Sequence, residues 1–288
     1  MLSSLPGVLF DGIAYGSLLF IMSIGLSVTM GLMNFINLAH GSFAMLGGYV
    51  CAVGMARLGI PFLATLPLAF LAAAAVGAVL ERSLYRHLYR RSPLDQVLFS
   101  LGLTLMSVAA GTWVFGSGQQ PVHLPAFLLG QVRIFGIDLG VYRLFLIAIV
   151  GLITAALVLS LRRTRFGARI RASVDDAQTS AGLGINVGRV FSITFVLGSG
   201  LGGLGGALAI DVLGLDPTFP LKYLVYFLLV VVVGGAGSIA GTLTASLLLG
   251  LFDVAGKYYV PAIGAFVIYG LMVVLLLLFP GGLRWGAR

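Results

Sequence analysis

Long apolar runs separated by short polar ones set the layout of this chain. Apolar runs cover residues 8–32, 43–57, 61–81, 94–115, 141–161, 190–211, 221–234, 239–256 and 261–279. A bilayer core of about 30 Å needs about 20 apolar residues in a helix, so most of these runs predict membrane spans. Ser92-Pro93 reads as a helix cap followed by a first helical residue. The stretch 116–140 differs in kind: GSGQQPVHLPAFLLG is rich in turn residues, and VRIFGIDLG alternates as a short hairpin does. It carries little charge, with His123, Arg133 and Asp138 spread along it. The pattern predicts an all-α polytopic membrane protein with eight or nine transmembrane helices, at least one broken or glycine-interrupted. The count is eight if 33–58 or 234–256 does not cross fully. A short helix is expected in the longest polar insertion, 162–189, and residues 1–288 read as a single membrane domain.

Composition agrees with this layout. Hydrophobic residues make up 59% of the chain and charged residues 9%, with a mean hydropathy of +1.10. Soluble domains carry about 25% charge. The net charge of +8 is concentrated in loops, so it reads as a topology signal and nucleic-acid binding need not be invoked. By the positive-inside rule, loops 82–93 and 162–189 and the C-terminal tail with Arg284 and Arg288 lie in the cytoplasm. The N-terminus and loops 116–140 and 213–220 then lie outside. Residues 1–56 contain no Lys or Arg, so a signal-peptide n-region is missing and the first apolar run stays as a span. Cys51, the one cysteine, sits in an apolar run; it excludes an internal disulfide framework and reads as a small core residue.

Several polar or glycine-rich positions stand out. Asn34, Asn37 and His40 recur every three residues ahead of Gly41, and on a helix they share one face. They suit substrate contacts or a hinge beside a helix break, or equally a cytoplasmic turn with ordinary helix caps. Gly234, Gly235, Gly237 and Ser238 interrupt an apolar run, either by unwinding a helix within the membrane or by making a tight turn. Gly198, Gly200 and Gly203 match GxGxxG, but no strand precedes them. Gly198, Gly202 and Gly206, four residues apart within an apolar run, instead predict close helix packing.

In ERSLYRHLYRRSPLD, Arg82, Arg86 and Arg90 recur every four residues, as do Leu84/Leu88 and Tyr85/Tyr89. This predicts an amphipathic segment at the headgroup level with its arginines among lipid phosphates and His87 solvated at the interface. In loop 162–189, Ser173 is placed to cap a helix with Asp176 in the capping-box position and Asp175 beside it. Gly182 and Gly184 can end that helix after about nine residues, roughly 13 Å. The loop suits docking of another protein or a basic tether that fixes topology.

The chemistry missing from the chain is also informative. No P-loop is present: GLFDVAGKYY, 250–259, has its glycines one residue too far apart and Tyr258 in place of Ser or Thr. No metal-ligand cluster, cofactor motif or catalytic set appears. Asp11, Asp211 and Asp253 all fall towards span ends, which disfavours an ion-coupled carrier with buried mid-membrane charges and, with it, a stand-alone secondary carrier. A membrane-embedded enzyme lacks convergent residues. Energy for transport is expected from another chain.

GLSVTMGLMNFINLAHGSFAMLGGY (25–49), LERSLYRHLYRRSP (80–93), RTRFGARIRASVDDAQTSAGLGINVGRVFSITFVLGSGLGGLGG (163–206) and VVVGGAGSIAGTLTASLLLG (231–250) together resemble the permease subunits of branched-chain amino acid ABC importers. The likeness is to the shorter of the two permease types and runs over most of the chain in order. It implies a bacterial inner-membrane, multi-pass subunit with no ATPase site of its own. The expected partners are two ABC ATPase subunits, a second permease subunit (a different chain or a second copy), a periplasmic solute-binding protein, membrane lipid and a small-molecule substrate. The family's coupling segment has an acid-Ala start and a Gly six residues after the acid, which Asp176, Ala177 and Gly182 match. The resemblance thus implies that Ser173, Asp175, Asp176, Ala177, Gly182 and Gly184 couple to the ATPase, and it favours docking over tether. Asn34, Asn37, His40, Gly41, Gly234, Gly235, Gly237 and Ser238 become candidates for the translocation path or gate. The chain departs from the family in its tail, Phe279-Pro280-Gly281-Gly282-Leu283, and in having Asp253 where Glu is common. Relatives that move urea or short amides leave the substrate open to that alternative.

Overall fold

The computed structural model describes residues 4–283 apart from Arg90, His123, Phe135 and Pro280. Arg90 of the basic run, His123 of the external loop, and the terminal Arg284 and Arg288 therefore lie outside the described residues. Eleven α-helices follow in order: α1 (Leu5–Met33), α2 (His40–Leu58), α3 (Phe62–Ser83), α4 (Pro93–Phe115), α5 (Val141–Arg163), α6 (Arg165–Asp175), α7 (Ala177–Gly182), α8 (Val187–Leu213), α9 (Phe219–Gly234), α10 (Ile239–Tyr259) and α11 (Gly264–Leu278). The expected hairpin forms between α4 and α5 from β1 (Gln131–Ile134) and β2 (Ile137–Gly140), antiparallel, with Arg133 opposite Asp138. The protein is an all-α polytopic membrane protein. Seven helices among the described residues are long and apolar enough to cross a membrane. The apolar α9 and α11 have only 16 and 15 residues, about 24 and 22 Å long against a hydrocarbon core of about 30 Å.

Helices α1 and α8 form the centre; 83% and 78% of their spanning windows are buried, against 11% for α5, which faces outward. In lipid no hydrophobic drive pulls helix to helix, so contact depends on how closely backbones can approach. Glycines on α8 meet this need on three sides. Gly198 faces Gly25 of α1, where an added Cβ would stand 3.2 Å from the Gly25 Cα. Gly203 and Gly206 press on α2, where a Cβ on Gly206 would overlap the Ala44 carbonyl, and a Cβ on Gly203 would meet the Ala69 carbonyl of α3 at 2.8 Å. Gly202 lies under the His40 ring. The four-residue glycine row thus runs from α1 at one end to α2 at the other. Cys51 is fully buried, with Sγ 3.0 Å from Thr65 Oγ1, as a core residue.

The helix ends gather into two groups. Segments 34–39, 84–92, 164–186 and 235–238 share one end, tied together by Tyr85–Asn37 and Gly237–Ser27 hydrogen bonds and by packing of α6 on α1. This end carries most of the arginines. The opposite end holds the hairpin and the 214–218 loop, linked where Gln120 N–H donates to the Leu215 carbonyl at 2.9 Å. All four ion pairs found among the described residues lie at or near this second end: Arg133–Asp138, Arg143–Asp11, Lys222–Asp216 and Lys257–Asp253. Burial pushes the Asp216 carboxyl upward, but hydrogen bonds from Lys222 and Thr218 outweigh it and hold the group below the usual carboxylate range.

The basic segment after α3 departs from the amphipathic-helix expectation. It forms a single 3-10 turn, Tyr85–His87, followed by turns. Arg82, Arg86, His87 and Arg91 are exposed as expected, but Tyr85 is 0% exposed and Tyr89 is half-buried. Aromatic packing draws the tyrosines inward: the Tyr85 ring lies 5.4 Å from Phe35, 5.6 Å from Phe99 and 4.7 Å from Phe195. Ser92 caps α4 as expected, its side chain accepting from Asp95 N–H at 3.2 Å.

Replacing Gly206 with Val forces α8 away from the Ala44 carbonyl and should destabilise the protein by roughly 1–3 kcal/mol or more. Gly102→Val, at an exposed position with nothing within 4 Å, should be near neutral. Thermal unfolding midpoints of the two variants in detergent check the difference.

Candidate functional site

Residues 34–39 are not helical, so Asn34, Asn37 and His40 do not share a helix face. The chain leaves α1 through Asn34, whose left-handed φ of 47° closes the helix with N–H bonded to the Met30 carbonyl at 2.9 Å. Asn tolerates this conformation better than other side chains with a Cβ. Asn34 is exposed, whereas Asn37 is 2% exposed. The Asn37 Oδ1 accepts from Ala39 N–H at 3.1 Å and from the Tyr85 hydroxyl at 3.0 Å. One amide oxygen thereby holds both the entry to α2 and the loop after α3. His40 is 3% exposed and lies 2.8 Å from the Met22 carbonyl through Nε2, so Nε2 carries the proton and donates. Its ring meets Phe43 and Phe227 edge-on, each with centroids 6.4 Å apart. Gly41 lets α2 approach the start of α9, where an added Cβ would lie 2.9 Å from Pro220 Cα. The junction is a hydrogen-bonded turn between α1 and α2.

The 234–238 stretch is a tight turn between two separate helices. Gly235 and Gly237 have φ of 81° and 83°, and Ser238 caps α10 by accepting from Gly241 N–H at 3.0 Å. Gly237 N–H donates to the Ser27 carbonyl at 2.8 Å, and Gly237 packs on Gly31. Gly31 and Ser27 lie two and six residues before the end of α1, so the turn is recessed by about 3–9 Å from that end. This explains why α9 is short. Irregular backbone at such depth survives only where protein or a water-filled cavity satisfies it. Here the Leu283 N–H donates to the Val233 carbonyl at 2.7 Å, and the Ser27 and Thr242 hydroxyls bond at 2.7 Å.

Loop 162–189 folds as two helices rather than one of nine residues. Thr164 caps α6, accepting from Gly167 N–H at 3.1 Å. Ser173, the expected cap, is instead buried near the end of α6, because Gly167, Ile170 and Ser173 form its inward stripe. The cap of α7 is Asp176, whose Oδ1 accepts from Gln178 and Thr179 N–H at 2.9 Å each, and whose Oδ2 accepts from the Thr179 hydroxyl at 2.5 Å. These bonds, the Thr179 hydroxyl first, hold the Asp176 carboxyl below the usual carboxylate range. Asp175 is the last residue of α6 and Ala177 the first of α7, both exposed. Gly182 ends α7, and Gly184 turns the chain away with φ 84°. Only Ser180 of α7 is buried, and Leu183 beside it is 79% exposed. A hollow of about 320 Å³ next to it is lined in part by Arg169, Arg189 and Leu183. The result is a small, rigidly capped, outward-facing helix held between α6 and α8.

The burial of two acids escaped the sequence reading. Glu81 is 2% exposed and accepts from the Tyr89 hydroxyl at 3.0 Å; burial, then the Glu81 charge, pushes the Tyr89 phenol above its usual range. Asp253, placed by sequence towards a span end, is 1% exposed and accepts from Lys257 Nζ at 2.6 Å. Its four-residue spacing from Lys257 was the available signal.

The described residues thus form a polytopic helical bundle with a recessed turn and an exposed capped helix, and none of them group to hold a metal. Residues 8–276 match the family described as "Branched-chain amino acid transport system / permease component", and the chain belongs to that family. It is 28% identical to the high-affinity branched-chain amino acid transport system permease protein BraD of Pseudomonas aeruginosa, over 96% of this chain and 94% of the relative. The corresponding permease LivH of Escherichia coli K12 gives 28% over the same shares. A probable LivH of Methanocaldococcus jannaschii gives 27%, over 96% and 91%. No solved structure gives a significant match.

Asn37→Ala removes the acceptor shared by Ala39 and Tyr85. It should cost roughly 1–3 kcal/mol for each buried donor left unmatched, seen as a lower thermal midpoint in detergent. An unchanged midpoint would show that this junction holds nothing.

Proposed function

We propose that this protein is a permease subunit of a binding-protein-dependent ABC importer that moves branched-chain amino acids across the inner membrane. Family membership over residues 8–276 carries this reading, and the names of the relatives supply the substrate class. Two ATPase subunits on separate chains hydrolyse ATP, a second permease subunit completes the pathway, and a periplasmic binding protein delivers substrate. The permease has no ATP-hydrolysing site of its own. It is one membrane domain of nine crossings, with the N-terminus outside and the arginine-rich end in the cytoplasm, in keeping with the positive-inside rule. Helices α9 and α11 cross as short spans, and the recessed turn 235–238 ends α9.

Helix α7 is the element that docks on the ATPase. Asp176 sets its N-terminus, Ala177 to Gly182 form the contact, and Gly184 returns the chain to α8. ATP-driven closure of the ATPase dimer pushes α7 and, through α6 and α8, the spans on either side. The glycine contacts of α8 key it to α1, α2 and α3. That group moves as a block, and α5, largely outward-facing, moves against it. Asn37, His40, Gly41 and the Gly234–Gly235–Gly237–Ser238 turn flank the cytoplasmic side of the path, with Asn34 exposed at its rim.

Reversing charge with Asp176→Lys removes three acceptor contacts at the start of α7. Insertion should be normal, while uptake by the reconstituted complex falls and ATP hydrolysis no longer follows substrate delivery; normal uptake sinks the docking role. If His40→Ala and Asn37→Ala leave rate and substrate range unchanged, the gate assignment fails.

A further inference from the structure

At the end opposite the arginine-rich loops, a cavity of about 310 Å³ opens between α1, α5, α8, α9 and α10. This is at the small end of the range for ligand sites, about 300–1,000 Å³. Its charged groups cancel: Asp11 pairs with Arg143, and Asp253 with Lys257. They are not at equal depth. The Asp253 side chain is 1% exposed, whereas those of Lys257 and Arg143 are 51% and 44% exposed, so the acid lies deep and the cations stand nearer the mouth. Asp253 Oδ2 accepts from Lys257, but its Oδ1 is buried without a hydrogen-bond partner. A buried carboxylate oxygen left unmatched is costly and calls for an explanation. Lys257 Nζ also sits 5.8 Å from the centroid of the Tyr15 ring, so a cation already rests over this aromatic face. Much of the remaining wall is apolar, including Leu18, Leu146 and Val254. A second hollow of about 520 Å³ shares Asp11 and Arg143 and is bordered by hairpin residues Gln131 and Asp138.

We infer that this cavity binds a zwitterionic α-amino acid with an aliphatic side chain, giving the permease a substrate site of its own. The ammonium group supplies the partner that Asp253 lacks and lies against the Tyr15 ring. The carboxylate takes Lys257 and Arg143 at the mouth, and the aliphatic chain rests on Leu18, Leu146 and Val254. A cavity with balanced charge disfavours ligands with net charge. A neutral amide has neither ionic group, so it cannot satisfy Asp253 while engaging the cations. This inference rests on the amino-acid reading above and places a recognition step inside the permease.

The test uses the whole importer, with its ATPase and binding protein, in liposomes. Leucine or valine uptake by the wild-type complex tests the proposed function; no uptake of either rejects that reading. The site is tested by variants against an active wild type. Asp253→Asn should lower leucine uptake by about ten-fold or more, the scale of a lost charge-assisted hydrogen bond, in a complex that still co-purifies with its ATPase. Asp253→Asn combined with Lys257→Gln replaces the ion pair with two neutral groups. A purely structural pair would recover uptake in this double variant, and recovery overturns the proposal; continued loss supports it. Val254→Phe narrows the apolar wall without touching a charge, and decides the matter if the Asp253 variants fail to assemble. It should reduce leucine uptake more than valine uptake, whereas equal loss or no change overturns the site.

Discussion

Close approach of backbones around α8 is the constraint on which the rest of this structure depends. Apolar side chains gain little by leaving lipid for one another, so helices must come near enough for dense van der Waals contact. Gly198, Gly203 and Gly206 allow this against α1, α2 and α3. Gly12 and Gly16 do the same on the other side of α1, against Leu251 and Leu247 of α10. Once these backbones are in contact, the positions of the junction at Asn37, the turn at Gly237 and the wall of the opposite cavity are set. Outlying α4 and α5 expose large apolar side chains such as Met106, Trp113 and Leu152, as suits helices that meet lipid.

The second constraint is that polar groups inside the bundle need partners. At the arginine-rich end, Asn37, Tyr85, Ser27, Thr242 and the glycine turn satisfy one another at hydrogen-bond distance. Irregular backbone can therefore reach about 3–9 Å below the end of α1 without bare N–H or C=O groups at Gly237 and Val233. Buried side-chain atoms without a partner occur at both ends, Gln96, Ser173 and Thr194 near the arginines and one Asp253 oxygen at the opposite end, and of these only Asp253 is an acid. A hydrogen-bonded junction is suited to transmitting force, and an unsatisfied carboxylate is suited to receiving a ligand.

Charge divides the same way. The arginines around α6 and the loop after α3 are mostly exposed, forming no ion pair among the described residues, while the four ion pairs sit at or near the other end. Unpaired arginines suit anionic headgroups and a cytoplasmic partner. Paired charges suit a surface that must admit a neutral zwitterion.

Local pattern was enough for much of this. Apolar runs of span length, the Ser92-Pro93 cap, the alternating hairpin around Gly136 and the four-residue glycine row were all legible, because each depends on neighbours within a few positions. The family was legible as well, through four stretches read in order. Spacing of three in Asn34, Asn37 and His40 implied a helix face, yet the chain leaves the helix at Asn34 with a left-handed φ, and Asn37 and His40 take separate partners, Tyr85, 48 residues from Asn37, and Met22 on α1. Ser173 had the right residue type for a cap, but burial of the Gly167–Ile170–Ser173 stripe took it inward and left the cap to Asp176. The tyrosines of the basic run looked interfacial until Phe35, Phe99 and Phe195 from three other segments enclosed Tyr85. Asp253 showed the same limit: its position along α10 was plain, but its burial depended on α1, α5, α8 and α9 closing around it. Sequence by itself determined which segments enter the membrane, since hydropathy is summed over neighbours. Which polar groups meet was decided only by tertiary structure, because in a low-dielectric interior each takes the partner that packing brings within about 3 Å.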